Sequence, residues 1–440
     1  MQRAGVDWAV WDQLVLSIGV VGAIHFLIPS HYPCPPPDRF ALICMGGFAA
    51  CAVLQVIPLP AALVRLVSPA RFALMQATAP LENSHPATLT LSAAPGQTIE
   101  YILTVGCYIL LFLLIRDFTL RLNATPWCST WPLLLVGGAE AALGFYQGTS
   151  GMVEGAVTGT YVNYDHYAGL LEMILPLAVA YGIAVLQRDR TWRASPAGPA
   201  IKACVLFGCA TLLLIGVVYS LSRMGFICAL ASLFIVGSMT VSLRGWRVDY
   251  EDPSRKWRTR LLAGCIGITV LLAFVFLPTD PLVARFSDLA RTDEISADTR
   301  VQIWRDTVGL IKAYPLSGCG LGAYESCFLR FKTAAPMNTV DYAHNDYLQV
   351  LAELGIFGFL AGLLFVIHLV RRTIRGALYA RSIDERYLAI GCSAAMIAML
   401  LHSLVDFNMY VPVNAMVFAW IAGVSGIFIY RRPSRSRNGG

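Results

Sequence analysis

Apolar runs of membrane-spanning length recur along the whole chain, and nothing else in the sequence restricts the fold as much. Crossing a hydrocarbon core of ~30 Å takes about 20 apolar residues per helix. Backbone polar groups in lipid must be satisfied within the segment, which leaves helices or closed barrels. The runs lie near Val10–Ile28, Phe40–Ile57, Ile99–Phe118, Trp131–Gln147, Tyr167–Leu186, Ala203–Leu221, Gly225–Leu243, Leu261–Leu277, Tyr347–Val370, Tyr387–Asp406 and Val411–Ile429. The chain of 440 residues is 57% hydrophobic and 14% charged, where a soluble domain is about a quarter charged. These features predict an all-α polytopic membrane protein with about 11–12 transmembrane helices and one large loop on one face. The first apolar segment is long enough to remain as an anchor, and no cleavable-signal pattern precedes it.

The basic residues set the orientation. Arg188, Arg190, Arg193 and Lys202 lie between the fifth and sixth runs, and Arg244 to Arg260 between the seventh and eighth. Arg371, Arg372, Arg375, Arg381 and Arg386 follow the ninth run, and Arg431 to Arg437 form the tail. All four groups fall on one side, which the positive-inside rule makes cytoplasmic. The net charge of +6 therefore reflects topology and does not indicate a nucleic-acid partner. The outer face then carries Pro58–Thr98, with an amphipathic piece suited to lie in the interface, the Gly-rich Gly148–His166, and a long polar island, Thr279–Asn345. The chain divides into 1–278 (N-terminal transmembrane helices), 279–345 (a loop capping a cavity) and 346–440 (C-terminal helices and a basic tail). Cys319 and Cys327 share the loop, where an extracytoplasmic location would allow them to pair.

Candidate chemistry gathers at the mouths of the spans. His344 precedes a helix that Asn345 or Asp346 can cap. The dipole at that terminus disfavours an imidazolium and keeps a neutral base available. Asp346, Gln349 and Glu353 follow at i, i+3 and i+7 on one face, and an acid as deep as Glu353 calls for a wet cavity or a cationic partner. Arg223, in YSLSRMG, is a cation on the face where cations are scarce, and an anionic ligand is the simplest reason for it. Arg300 opens an amphipathic helix marked by Val301, Trp304, Val308 and Ile311, and guanidinium forks suit phosphate oxygens. Asp406 and Asn408, in HSLVDFNMYVPVN, read chiefly as turn residues, with a place in a polar cavity as the alternative. A boundary His that meets headgroups, an inter-helix ion pair and a snorkelling Arg are the bland readings of the same residues. The chain has no Walker loop, HExxH or GxSxG. Nucleotide hydrolysis is thereby set aside, and transport, or transfer from a preactivated lipid-borne substrate, remains.

The run TR…IW…YPLSGCGLGAYE…AHNDYLQVLAELGIFG, with TGTYVNYDHYAG, SLSRMG and HSLVDFN…P.N at their expected places, resembles the O-antigen ligase and polymerase superfamily of bacterial envelope glycan enzymes. The resemblance extends over nearly the whole chain. It departs at Asp165, where an Asn is usual in the entrance motif spanning Asn163 to His166, and at Met224, where a small residue is usual. It implies a metal-independent, inverting glycosyltransferase with no cofactor, in the bacterial inner membrane with its loop on the periplasmic face. The implied donor is an undecaprenyl-diphosphate-linked glycan. The implied acceptor is lipid A–core for a ligase or another lipid-linked repeat for a polymerase. On this resemblance His344 is the expected base and Arg223 and Arg300 the expected diphosphate ligands. Glu353, Asp346, Asn163 and His166 are expected to support them. A lipid or glycan transporter is the alternative of a different class; it predicts intramembrane charges in both halves, whereas here the polar features crowd one face.

Overall fold

The computed structural model describes residues 2–3, 6–27, 35–82, 86–122, 125–151, 155–188, 196–244, 297–333 and 339–429. The expected span Leu261–Leu277, the loop cations Arg285 and Arg291, most of the Arg244–Arg260 group and the basic tail lie outside these residues. The helices are α1 (Trp8–Leu27), α2 (Arg39–Leu54), α3 (Ala61–Val67), α4 (Pro69–Glu82), α5 (Pro95–Arg121), α6 (Trp131–Ser150), α7 (Tyr164–Gln187), α8 (Ala197–Tyr219), α9 (Arg223–Arg244), α10 (Ala297–Ala313), α11 (Tyr324–Phe328), α12 (Asp346–Tyr379), α13 (Ile383–His402) and α14 (Pro412–Ser425). Every expected span within the described residues coincides with one of them. Among the described residues six helices are long and apolar enough to cross a membrane: α5, α7, α8, α9, α12 and the run through α14 to Ile429. The chain is an all-α polytopic membrane protein, its strands limited among the described residues to short antiparallel pairs such as Leu59–Pro60 with Thr88–Leu89.

The bundle is built around α7. Its sequence is apolar on all sides, and a helix of that kind must be enclosed by others or by lipid; here 94% of its apolar window is buried within the protein. Helices α8, α9 and α13 surround it, while α2 packs on α12 and α14 on α5. The amphipathic piece after the second span is not one helix. Ser68–Pro69 breaks it into α3 and α4, because Pro69 has no N–H to continue the ladder of α3 but suits the first turn of α4. Leu66, on α3, is 78% exposed.

The long helix α12 is broken at Gly355 (φ 65°, ψ −173°), a conformation essentially restricted to glycine. The loop PLSGCG fills the break. Cys319 N–H donates to Ala352 O (2.9 Å), Gly320 N–H to Glu353 O (3.1 Å) and Ile356 N–H to Pro315 O (3.0 Å). Gln55 locks the joint from α2's end: its amide nitrogen donates to Ser317 O and Glu353 O (2.7 Å each), and its Oε1 accepts from Leu321 N–H (2.8 Å). Irregular backbone at this depth is tolerable only when its polar groups are paired in this way. Helix α10 packs above the joint, and its buried face is Ile303, Thr307 and Leu310. The expected Val301/Val308 stripe is instead 38% and 39% exposed. The helix is turned so that Asp306 accepts from Thr333 N–H (2.7 Å) and Trp304 Nε1 donates to His344 O (3.3 Å).

Gly318 has φ 68°, and a Cβ there would overlap the Glu353 carbonyl. Gly318→Ala should therefore destabilise the protein by about 1–3 kcal/mol or more. Thermal unfolding of the detergent-solubilised chain checks this, with Gly19→Ala, where a Cβ meets nothing within 4 Å, as the neutral control.

Candidate active site

Four helix ends and one connection converge on a single buried cluster. Helix α7 starts at Asn163, whose side chain accepts from Asp165 N–H (2.7 Å), and this cap sets Asp165 and His166 in the first turn. The α8–α9 turn passes through Leu221 at φ 55°, a costly conformation for a branched side chain. It delivers Ser222, which donates to Asp165 Oδ1 (2.5 Å), and then Arg223 at the start of α9. Helix α10 contributes Arg300. Its Nη1 donates to Val405 O (3.1 Å), its Nη2 lies 3.9 Å from Asp165 Oδ2, and its Nε is buried with no hydrogen-bond partner. His344, at φ 48°, immediately precedes the Asn345 cap of α12, whose side chain accepts from Leu348 N–H (3.0 Å). Of the two residues expected to cap, Asn345 does so.

The segment between α13 and α14 closes the site. Asp406 is 2% exposed and lies between two imidazoles. Its Oδ1 is 3.5 Å from His344 Nδ1 and its Oδ2 is 3.7 Å from His166 Nε2. Phe407 meets both rings edge to face, at 4.9 Å from His344 and 4.8 Å from His166, and stacks on Tyr342 at 4.3 Å. His166 Nε2, His344 Nδ1, Asp346 Oδ1 and Asp406 Oδ2 are all buried atoms without a hydrogen-bond partner. Such atoms are rare in folded proteins, and a concentration of them marks a place held ready for proton or ligand chemistry. Asp406 therefore belongs to this buried polar cluster and not merely to a turn. Asn408 is structural, accepting from Asn414 Nδ2 (2.8 Å).

The supporting residues divide by what they touch. Asp346 accepts from Met409 N–H (3.1 Å) and so ties α12 to the closing segment. Glu353 is buried, but among the described residues it has no cationic partner of the kind its depth suggests. Neutral donors hold it: Tyr410 Oη donates to Oε2 (2.7 Å) and Gln349 Nε2 to Oε1 (2.9 Å). Gln349 in turn accepts from Ala343 N–H (2.6 Å), next to His344. Asn163 acts locally as a helix cap. Cys319 and Cys327 are free buried thiols. The Cys319 thiol donates to Gly320 O at 3.9 Å. One turn or more further in, His402 Nδ1 bonds both Glu172 oxygens (3.0 and 3.1 Å). With Cys228 these form a buried trio whose ligand atoms lie within 4.8 Å of one another, a donor set that could hold a metal ion.

Asp165, Glu172, His402 and Asp406 were not expected site residues. The i, i+7 pair of acids in an apolar helix, and His402 four residues before Asp406, are the signals that point to them. Tyr410 has no such signal, because its partner Glu353 lies 57 residues away.

The fold and this centre define a polytopic membrane protein with an acid–base cluster where its helix ends converge. Residues 208–363 match the family model described as O-antigen ligase, so this stretch is similar to that family. The matched stretch contains Arg223, Arg300, His344, Asp346 and Glu353 but not Asp165, His166 or Asp406. No curated protein matches the chain.

Tyr410→Phe removes one of the two side-chain donors to the buried Glu353 carboxylate. It should cost about 1–3 kcal/mol, read as a lowered unfolding midpoint that Tyr410→Trp or →His does not rescue.

Proposed function

We propose that the chain is a metal-independent, inverting glycosyltransferase that moves a glycan from undecaprenyl diphosphate to an acceptor hydroxyl. Ligation to lipid A–core is the favoured reaction, and extension of another lipid-linked repeat is the same chemistry with a different acceptor. The observation that carries this reading is the His344–Asp406 contact beside Arg300, in a chain whose residues 208–363 match the O-antigen ligase family model. We assign the site to the periplasmic face of the bacterial inner membrane, with 279–345 as the loop capping it between two sets of transmembrane helices.

In this reading Nδ1 of His344 faces Asp406, so the tautomer with its proton on Nδ1 offers a bare Nε2 to the acceptor. The acceptor oxygen attacks the anomeric carbon as the carbon–oxygen bond to the diphosphate breaks. The hydroxyl proton passes to His344, and the electron pair leaves with undecaprenyl diphosphate. A single displacement inverts the anomeric configuration. Charge grows on the departing diphosphate, and Arg300, with its unpartnered Nε, and Arg223 are the fixed cations proposed to stabilise it. Asp406 orients the base and stabilises its imidazolium. His166 holds Asp406 from the opposite side, while Glu353 and Asp346 fix the first turns of α12. Nothing in this route needs a nucleotide, and the activation is supplied by the lipid-linked donor. A transporter reading has less support, because the described polar residues cluster at one set of helix ends.

Transfer in proteoliposomes from undecaprenyl-diphosphate glycan to lipid A–core tests the assignment. His344→Ala should lower the rate about 10²–10⁴-fold, Arg223→Ala and Arg300→Ala should also slow transfer, and added chelator should leave it intact. Full activity in His344→Ala would remove the base assignment.

Topology is checked separately. Leu329, 60% exposed beside α11, and Tyr379, 77% exposed at the far end of α12, should lie on opposite sides. In a cysteine-free background, a membrane-impermeant thiol reagent should label Leu329→Cys from outside and leave Tyr379→Cys untouched.

A further inference from the structure

The end of the bundle opposite the acid–base cluster carries a second gathering of charge, which the proposed mechanism does not use. Tyr181 lies on α7 about 22 Å along the helix from His166. Its buried ring stacks on Trp127 at 4.3 Å and meets Trp131 edge to face at 6.0 Å. Two cations approach this ring. The guanidinium carbon of Arg188 is 5.8 Å from its centroid, and Lys202 Nζ is 4.6 Å away. Lys202 Nζ is also 5.7 Å from the centroid of Trp131.

The two cations are not served alike. Arg188 donates to Asp384 Oδ1 through Nε (2.9 Å) and Nη2, and the same oxygen accepts from Trp127 Nε1 (3.2 Å). Arg188 is thus neutralised and Asp384 is occupied. Among the described residues Lys202 has no carboxylate partner, and its contacts are the two ring faces. An aromatic face orients an ammonium, but it carries no net charge, and three N–H donors are left to find oxygen acceptors.

The surroundings indicate the acceptor. Trp131 is the first residue of α6, and Lys202 lies in the second turn of α8, so both stand at the mouths of their helices. Helix α8 is long and apolar enough to span a membrane, and it packs on α6. Ile201 and Val205, on either side of Lys202, are 66% and 59% exposed, and Leu135, one turn beyond Trp131, is 66% exposed. Apolar side chains exposed on such helices face hydrocarbon, and a Trp and a Lys at their ends mark the level of the headgroups. A free anion would have to leave water for a place flanked by hydrocarbon. An anionic lipid is already there, its phosphate level with the ammonium and its chains beside the apolar side chains.

We propose that Lys202, backed by Trp131 and Tyr181, binds the phosphate of an anionic phospholipid at the end of the bundle remote from the acid–base cluster. The phosphate accepts from the ammonium, which the two rings hold in one direction. The acyl chains run along Ile201 and Val205 of α8 and Leu135 of α6. The Arg188–Asp384 pair adds no net charge, so Lys202 supplies the attraction. A lysine that merely snorkels would meet any headgroup without preference.

The test uses purified full-length protein in nanodiscs of phosphatidylcholine, with and without phosphatidylglycerol, read by native mass spectrometry and by the unfolding midpoint. The wild type should retain phosphatidylglycerol in preference to phosphatidylcholine and unfold at a higher temperature when it is present. Lys202→Gln should weaken that retention about fivefold, the effect of one lysine at an anionic lipid surface, and abolish most of the gain in midpoint. Arg375→Gln removes the same charge from the same end, on the exposed side of α12, and should leave both readouts unchanged. Equal retention by wild type and Lys202→Gln would overturn the proposal. So would an equal loss in Arg375→Gln, which would mean general basicity. Inorganic phosphate that raises the midpoint in phosphatidylcholine as much as phosphatidylglycerol does would show a site for a free anion and overturn it too. If Lys202→Gln does not fold, spin-labelled forms of the two lipids are compared on the wild type. An immobilised fraction no larger for phosphatidylglycerol than for phosphatidylcholine then sinks the proposal.

Discussion

The break in α12 at Gly355 is the constraint on which the rest depends. A continuous helix would satisfy its own backbone and carry Glu353 and Gly355 past the loop without contact. The break instead exposes carbonyls at Ala352 and Glu353, and Cys319, Gly320 and Gln55 satisfy them. In a low-dielectric interior these bonds are obligatory, since each unsatisfied group costs several kcal/mol. The loop Pro315–Leu321 is therefore part of the membrane-level structure and not an appendage. It carries α11 with it, and through Trp304 and His344 it ties α10 to the start of α12. Arg300 and His344 are 44 residues apart in sequence and face one site because this joint fixes the elements that bear them.

How much of this was legible in the sequence depends on the range of the interaction. The spans were, because each apolar run answers to the lipid alone, and every expected span within the described residues is a helix. The cap at Asn345 and the entry at Asn163 were legible too, since capping is decided within a few residues. Asp346, Gln349 and Glu353 share one face, as their spacing predicts, and that face is buried. Its partners were not legible, because Tyr410 arrives from beyond another helix. The orientation of α10 departs from the expected stripe for a related reason: one hydrogen bond given by Trp304 and a set accepted by Asp306 decide which face turns inward.

Asp406 shows where periodicity gives out. Beside Asn408, Pro412 and Asn414, a turn is the economical reading, and Asn408 and Asn414 bear it out by bonding each other. Nothing local distinguishes Asp406 from them. Only the tertiary fold brings His344 and His166 to its two oxygens, with Phe407 wedged edge-on against both rings. Asp165 has the same history: it is a departure from the usual residue of its motif, and it becomes the acceptor for Ser222 and the neighbour of Arg300.

Charge placement connects these observations. Asp165, Asp406 and Asp346 crowd a site proposed to handle an anionic diphosphate, an arrangement that would repel its own substrate if the acids stood alone. None does. Asp165 is covered by Ser222 and Arg300, Asp346 by a backbone N–H, and Asp406 by imidazoles on two sides. The guanidinium of Arg300 spans both halves of the problem, since it holds the Val405 carbonyl next to Asp406, approaches Asp165, and keeps one buried N–H unpartnered. Carboxylates that occupy the other faces of a cation fix its direction, and a cation held in a fixed direction stabilises a departing phosphate better than a mobile one. The acids near Arg300 thus act as supports that aim it, and negative charge at the site is compatible with the proposed binding of an anionic diphosphate.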